Sequence, residues 1–190
     1  MKVLIACEFS GIVRDAFAKS GHDAWSCDLL PTEKPGNHIQ GDIFFFLVKE
    51  WKNFDLLIFH WTCTYLCNSG VRWLHEQDGR FDLMKEHAQK FNWLLNNNIP
   101  KIAGENPIPH KYALEIIGRK YDQIIQPWQF GHGETKATCL WLKGLPKLKP
   151  KNIVSGREQR IWKLPPSKDR WKERSRTYPG IAKAMAEQWG

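Results

Sequence analysis

No stretch of this 190-residue chain comes near the ~20 consecutive apolar residues that a membrane span requires. Met1 to Ala6 carries one Lys and runs directly into a strand-like pattern, so no signal peptide is read there and a cytoplasmic protein is expected. Cysteines are few and odd in number, five in all, which speaks for reduced thiols rather than a disulfide framework. Cys63 and Cys67 stand in C-x3-C spacing, but a structural zinc site needs a second pair and the chain has none, so no metal is expected. An internal repeat is lacking, as is a G-x-G-x-x-G fingerprint. Acidic residues are the scarcer charge, 20 against 28 Lys and Arg, a net of +8, and ten Trp accompany that excess. Basic residues interleaved with aromatics suit a polyanion whose bases stack; a merely basic soluble protein is the plain alternative. The hydrophobic share of 42% and charged share of 25% are ordinary for a globular chain. The length supports one core, so residues 1–190 are expected to form a single domain that includes a basic, proline-containing segment 146–176 and a C-terminal helix 181–189.

What is there centres on Phe54–Gly70. Leu56 to Phe59 is a continuous apolar run, the pattern of a strand buried on both faces of a parallel sheet, and it stops at His60, Trp61, Thr62 and Cys63. In open α/β sheets ligands bind beyond the carboxyl ends of the strands, which puts Cys63 at a candidate active-site position. Lys101–His110 repeats that grammar, a short strand followed by Glu105. Cys63 reads either as a nucleophile or as a buried structural thiol, and its polar loop favours the first. Glu105 reads as a site carboxyl or a surface cap, and its place after a buried strand favours the site. Cys67 and Cys139 are read as structural. So are His60 and His132, for which the sequence identifies no proton-transfer partner. Trp61 either stacks on a base or blocks the pocket.

Along the chain, Lys2–Cys7 is a strand, residues 8–11 a tight turn, Ile12–Lys19 a helix, and Ala24–Cys27 a second strand ending at Asp28. Such a unit binds nucleotide-like cofactors when a glycine lets the backbone approach, the helix N-terminus offers free N–H groups and the carboxylate accepts from ribose. With one glycine only, an ordinary strand-turn-helix stands beside that reading. Leu30–Gln40 is a loop, Phe44–Val48 a short helix or strand, and a helix runs from about Asp82 to Leu95. Tyr112–Gly118 is a short helix, and Tyr121–Trp128 and Ala137–Leu142 are two late strands joined through Gly131-His132-Gly133. Pro146–Arg176 shows no period.

In order, Phe9-Ser10-Gly11, Asp28, Gly41-Asp42-Ile43, Cys63 after the fourth strand, Asp78-Gly79-Arg80, Glu105-Asn106 and Tyr178-Pro179-Gly180 follow the motif order of one family. The chain resembles the cytosine-5 DNA methyltransferases, of the compact kind often encoded by phages and prophages. The resemblance implies a Rossmann-like α/β fold with a mostly parallel sheet and helices on both faces, in the cytoplasm of a bacterial host if phage-encoded. It implies S-adenosylmethionine as cofactor, held by Phe9, Ser10, Gly11, Asp28 and Asp42. Cys63 would add to carbon 6 of cytosine, Glu105 would assist at ring nitrogen 3, and Asn106 would hold the loop. DNA, single- or double-stranded and with its base extruded, would meet Trp61, Arg80, Lys136, Arg157, Arg160, Arg170, Arg174 and Arg176.

The chain departs from the family at four points. Trp61-Thr62 replace two prolines before the nucleophile, so the loop is expected to lack their rigidity. Val13-Arg14 stand where the family has glycines and are expected to crowd the cofactor. Glu134-Thr135-Lys136-Ala137-Thr138 is only an echo of Q-x-R-x-R, and a separate target-recognition domain has no room. A non-catalytic nucleic-acid-binding relative, and an enzyme modifying a free pyrimidine nucleotide, therefore stand as alternatives to the DNA methyltransferase.

Overall fold

The computed structural model describes residues 1–190. Seven strands form one sheet: β1 Lys2–Ala6, β2 Asp23–Asp28, β3 His38–Gln40, β4 Leu56–His60, β5 Lys101–Pro107, β6 Gln123–Ile125 and β7 Thr138–Lys143. Their order is β3-β2-β1-β4-β5-β7-β6, and only β7 runs against its neighbours. The helices are α1 Ile12–Lys19, α2 Ile43–Glu50, α3 Trp73–Glu76, α4 Arg80–Leu95, α5 Lys111–Ile117, α6 Arg160–Lys163, α7 Arg170–Ser175 and α8 Pro179–Trp189.

Side-chain alternation along the strands divides the core into two layers. Leu4, Leu57, Phe59, Ile102 and Trp141 bury against α2, α4 and α5, through Leu47, Met84, Phe91 and Ile117. Val3, Ile5, Leu56, Ile58 and Leu140 point the other way, onto Val13 and Phe17 of α1 and Ile181, Met185 and Trp189 of α8. The result is the Rossmann-like α/β arrangement, a mostly parallel sheet with helices on both faces. The chain order reverses between β1 and β4, so the crevice opens beyond their carboxyl ends.

The structure differs from the sequence reading at several places. The end of the expected loop Leu30–Gln40 is β3, an edge strand whose three residues pair with Ser26–Asp28. The ambiguous Phe44–Val48 lies in α2, because the Asp42 carboxylate accepts from the Phe44 N–H at 2.8 Å and caps a helix. Residues 146–176 hold α6 and α7, each too short to display a period. Glu105 and Asn106 fall inside β5, because β7 pairs alongside it as far as Pro107. No helix is long and apolar enough to cross a membrane.

Candidate active site

Two joined cavities occupy the crevice. The smaller, about 210 Å³, brings together Cys63, Glu105, Asn106, Lys136 and Arg174. The larger, about 410 Å³, is lined by Phe9, Asp28, Asp42, Ile43 and Phe44. His60, Trp61, Thr62 and Trp171 line both.

Cys63 lies on the exposed rim, three residues beyond β4. Its loop lacks the two prolines, yet it is pinned from several directions. The Asn106 side-chain N–H donates to the Trp61 carbonyl at 2.9 Å, and Arg80 donates to the Thr64 carbonyl at 2.9 Å. The His110 imidazole bonds the Tyr65 carbonyl at 2.9 Å, and its backbone N–H reaches the Leu66 carbonyl at 3.0 Å. Hydrogen bonds supply the rigidity that proline would have given. Arg80 is thereby a fastener of the loop, stacked by its guanidinium on Tyr65 at 5.0 Å.

Burial pushes the thiols of Cys27 and Cys139 up to about 12, and that of Cys7 higher still. The Cys63–Cys67 pair behaves differently. The Cys67 sulfur is 3.0 Å from the Ser69 hydroxyl, and the Cys67 backbone N–H donates to the Cys63 carbonyl at 3.2 Å. Contact with Cys63 and Ser69 lowers Cys67, while Cys67 and burial raise Cys63.

His60 has a partner that the sequence did not disclose. It is the register neighbour of Glu105 across β4 and β5, and its Nδ1 lies 2.7 Å from the Glu105 carboxylate, off the line of a hydrogen bond. Burial pulls His60 down, but the charge and contact of Glu105 outweigh it and raise the imidazole above its ordinary value. Burial pushes Glu105 up, and His60 with Lys136 outweighs it, leaving the carboxyl below the usual range. Burial lowers Lys136 despite the nearby Glu105 and Cys63. Both His60 ring nitrogens, the Trp61 indole N–H, a Glu105 oxygen and the Asn106 amide oxygen are buried without hydrogen-bond partners. Unpaired buried polar atoms are costly, and here they gather in one crevice.

The donor set of the larger cavity fits the nucleoside half of S-adenosylmethionine: the Asp28 carboxyl, raised by burial, the Asp42 carboxylate, and apolar walls from Phe9, Ile43 and Phe44. The helix N-terminus is not free, however. The buried Glu8 carboxylate accepts from Val13 N–H at 2.7 Å, Arg14 N–H at 3.2 Å and the Ser10 hydroxyl at 3.2 Å. A carboxylate at that position satisfies the orphan donors and the helix dipole from within the chain. Arg14 does not crowd either cavity. It turns beneath the loop after β2 and binds Ser26, Thr32 and the carbonyls of Lys34 and Pro35. Gly11, at φ 69°, makes this possible, since a Cβ there would lie 2.5 Å from the Arg14 guanidinium.

The remaining arginines separate into two groups. Arg160 pairs with Glu134 at 3.0 Å, Arg176 with Glu33 at 2.7 Å and with Glu173, and Arg157 stacks on Trp128 at 3.7 Å. These hold the basic segment to the fold. Arg174 makes no ion pair and lines the cavity near Cys63, and Arg170 donates only to the Trp162 carbonyl at 3.4 Å.

No protein-family model and no curated protein matches the chain. Among solved structures it is similar to a protein assigned as a DNA modification methyltransferase encoded within a prophage (E. coli), with a TM-score of 0.51 and 13% identity over 81% of this chain and 52% of that one. It is also similar to the methyltransferase EhMeth of Entamoeba histolytica, with a TM-score of 0.50 and 16% identity over 85% of this chain and 58% of the other. The chain therefore spans a little over half the length of each. Across that span, it shares the mostly parallel α/β fold of these two proteins.

Proposed function

We propose that this protein methylates carbon 5 of cytosine in DNA, with S-adenosylmethionine as donor and Cys63 as nucleophile. The observation that carries the reading is the meeting of Cys63, Glu105 and Asn106 in one cavity that opens into a second, nucleoside-sized one holding Asp28 and Asp42. Cytosine is a poor nucleophile at carbon 5. Cys63 loses its proton to water, its thiolate adds to carbon 6, and the carbon 5–carbon 6 electron pair becomes available at carbon 5. Glu105 meets ring nitrogen 3 and stabilises the adduct by proton donation. S-adenosylmethionine, when bound, supplies the electrophilic methyl group. Loss of the carbon 5 proton and release of Cys63 complete the cycle. Trp61 and Trp171 flank the extruded base, and Arg174 meets its phosphate.

The test is intact-protein mass after incubation with an oligonucleotide containing 5-fluorocytosine, with and without S-adenosylmethionine. Fluorine blocks the final elimination, so a cofactor-dependent adduct forms in the parent protein and is lost in Cys63→Ala. A second reading, a DNA-binding protein without catalysis, draws on Trp61 walling both cavities and on the raised Cys63 thiol. Oligonucleotide binding with no adduct on either single- or double-stranded DNA is its signature.

A further inference from the structure

We propose that His60 is the proton reservoir of Glu105, a positioning residue that loads the carboxyl before it meets the base; this rests on the cytosine reading above. A glutamate held below the usual carboxylate range is ionised at neutral pH and has no proton to give. The adduct nevertheless needs one at ring nitrogen 3. Parallel pairing of β4 and β5 sets His60 beside Glu105, so their side chains leave the sheet on the same face, 2.7 Å apart at the bottom of the Cys63 cavity. Neither His60 ring nitrogen has a hydrogen-bond partner, so the ring is not committed to holding the fold.

The pair holds one labile proton. In the resting protein it sits on the imidazole, leaving imidazolium and carboxylate. As Cys63 Sγ bonds to carbon 6, the His60 N–H bond breaks, the carboxyl takes the proton and presents it to nitrogen 3, and His60 is left neutral. When carbon 5 loses its own proton to water and the sulfur leaves, the nitrogen 3 proton returns to the pair. No net proton is consumed by the couple.

The charged and titratable groups around the ring set the direction of the pH dependence. Glu105 of β5 and Glu8 of the first loop favour the imidazolium, and Lys136, ahead of β7, opposes it. Asp28 at the end of β2 also feels the His60 charge, and Cys7, Cys63, and His87 and Lys90 of α4 line the same cavities. The raised His60 favours the loaded reservoir, and activity falls as pH rises through that raised value.

Two measurements test this. The first is an NMR titration of the histidine ring signals in the parent and in Glu105→Gln, and it needs no catalysis. His60 is expected to titrate above the other histidines in the parent and to fall below the ordinary value of about 6.5 once Glu105 is neutral, because burial, with Lys136, then outweighs Glu8. An ordinary value in both proteins overturns the proposal. The second is the pH profile of adduct formation in His60→Asn. Its alkaline limb is expected about one unit or more lower than the parent's, with partial recovery below that limb. An unshifted limb in a folded variant overturns the reservoir. If the NMR coupling holds while no cytosine adduct forms in either protein, the His60–Glu105 couple stands as a proton-sharing pair, and it is the cytosine reading that fails.

Discussion

Asn106 occupies a position where one side chain carries two burdens. Its amide N–H fixes the Trp61 carbonyl at the start of the nucleophile loop, while its own amide oxygen is buried and unpaired toward the cavity. Replacing it with Ala leaves the Trp61 carbonyl without its donor, at a cost of about 1–3 kcal/mol. Asn106→Ala is therefore expected to lower the urea midpoint modestly and slow adduct formation about tenfold to a hundredfold, since the loop that aims Cys63 loses a tether. An adduct rate equal to the parent's would show that Arg80 and His110 suffice to hold the loop. Cys67→Ser tests a separate point. It keeps the shape but removes the sulfur whose contact and charge hold the Cys63 thiol up, so the pH dependence of Cys63 alkylation is expected to shift to lower pH, measured with iodoacetamide and read by peptide mass. Cys63 and Glu105 were legible as residues because each follows an apolar run. His60 was not. It acquires its meaning from the β4–β5 register, which tertiary pairing sets and no local spacing reports.

Among elements, the short helices α6 and α7 decide how the crevice would meet DNA on the reading proposed above. Residues 157–176 contain eight Lys or Arg and three Asp or Glu, so they supply +5 of the chain's +8. Part of that charge is spent inside the fold, on Glu134 and Glu33, which leaves Arg174, Lys163 and Lys168 exposed. Trp171 is 50% exposed, packs on Phe9 at 5.6 Å and lines both cavities, whereas Trp162, at 72% exposure, lines neither. Stacking of a base on an aromatic contributes ~1–3 kcal/mol. Trp171→Ala is accordingly expected to weaken oligonucleotide binding about fivefold to a hundredfold and to suppress the adduct, while Trp162→Ala affects binding alone. Arg174→Ala is expected to reduce the salt slope of binding by about 0.7–0.9. Fluorescence anisotropy across a salt series reads all three, and equal affinities would remove this segment from the interface. Neither α6 nor α7 was visible in the sequence, because one or two turns cannot show a hydrophobic period. The same holds for β3, a three-residue edge strand stabilised only by its neighbour.

At the scale of the whole molecule, the crevice depends on a helix distant from it in sequence. α8 buries Ile181, Ala182, Met185 and Trp189 against α1 and the face of β1 that carries Val3 and Ile5, and the Trp189 indole N–H donates to the Pro146 carbonyl at 2.9 Å. It also anchors the turn beside the active site: the Gly180 N–H donates to His132 at 2.9 Å, and just ahead of it Tyr178 donates to Glu134 at 2.6 Å. The amphipathic run Ile181–Trp189 was readable from its helical period, and the strands β1 and β4 from their continuous apolar runs. The pairing of α8 with α1 had to come from the structure. Ending the chain after Arg176 strips one layer of the sheet of large buried side chains, each contributing about 1.5–3 kcal/mol, which together rival the ~5–15 kcal/mol that stabilises a typical domain. The truncated chain is expected to lose its cooperative thermal transition. Trp189→Ala, removing one buried indole, is expected to cost about 3–5 kcal/mol while keeping the fold. A truncated protein melting at the parent temperature would mean that α8 does not close this face of the sheet. In that case the support it gives to Tyr178, Glu134 and the cavity wall would have to come from the basic segment alone.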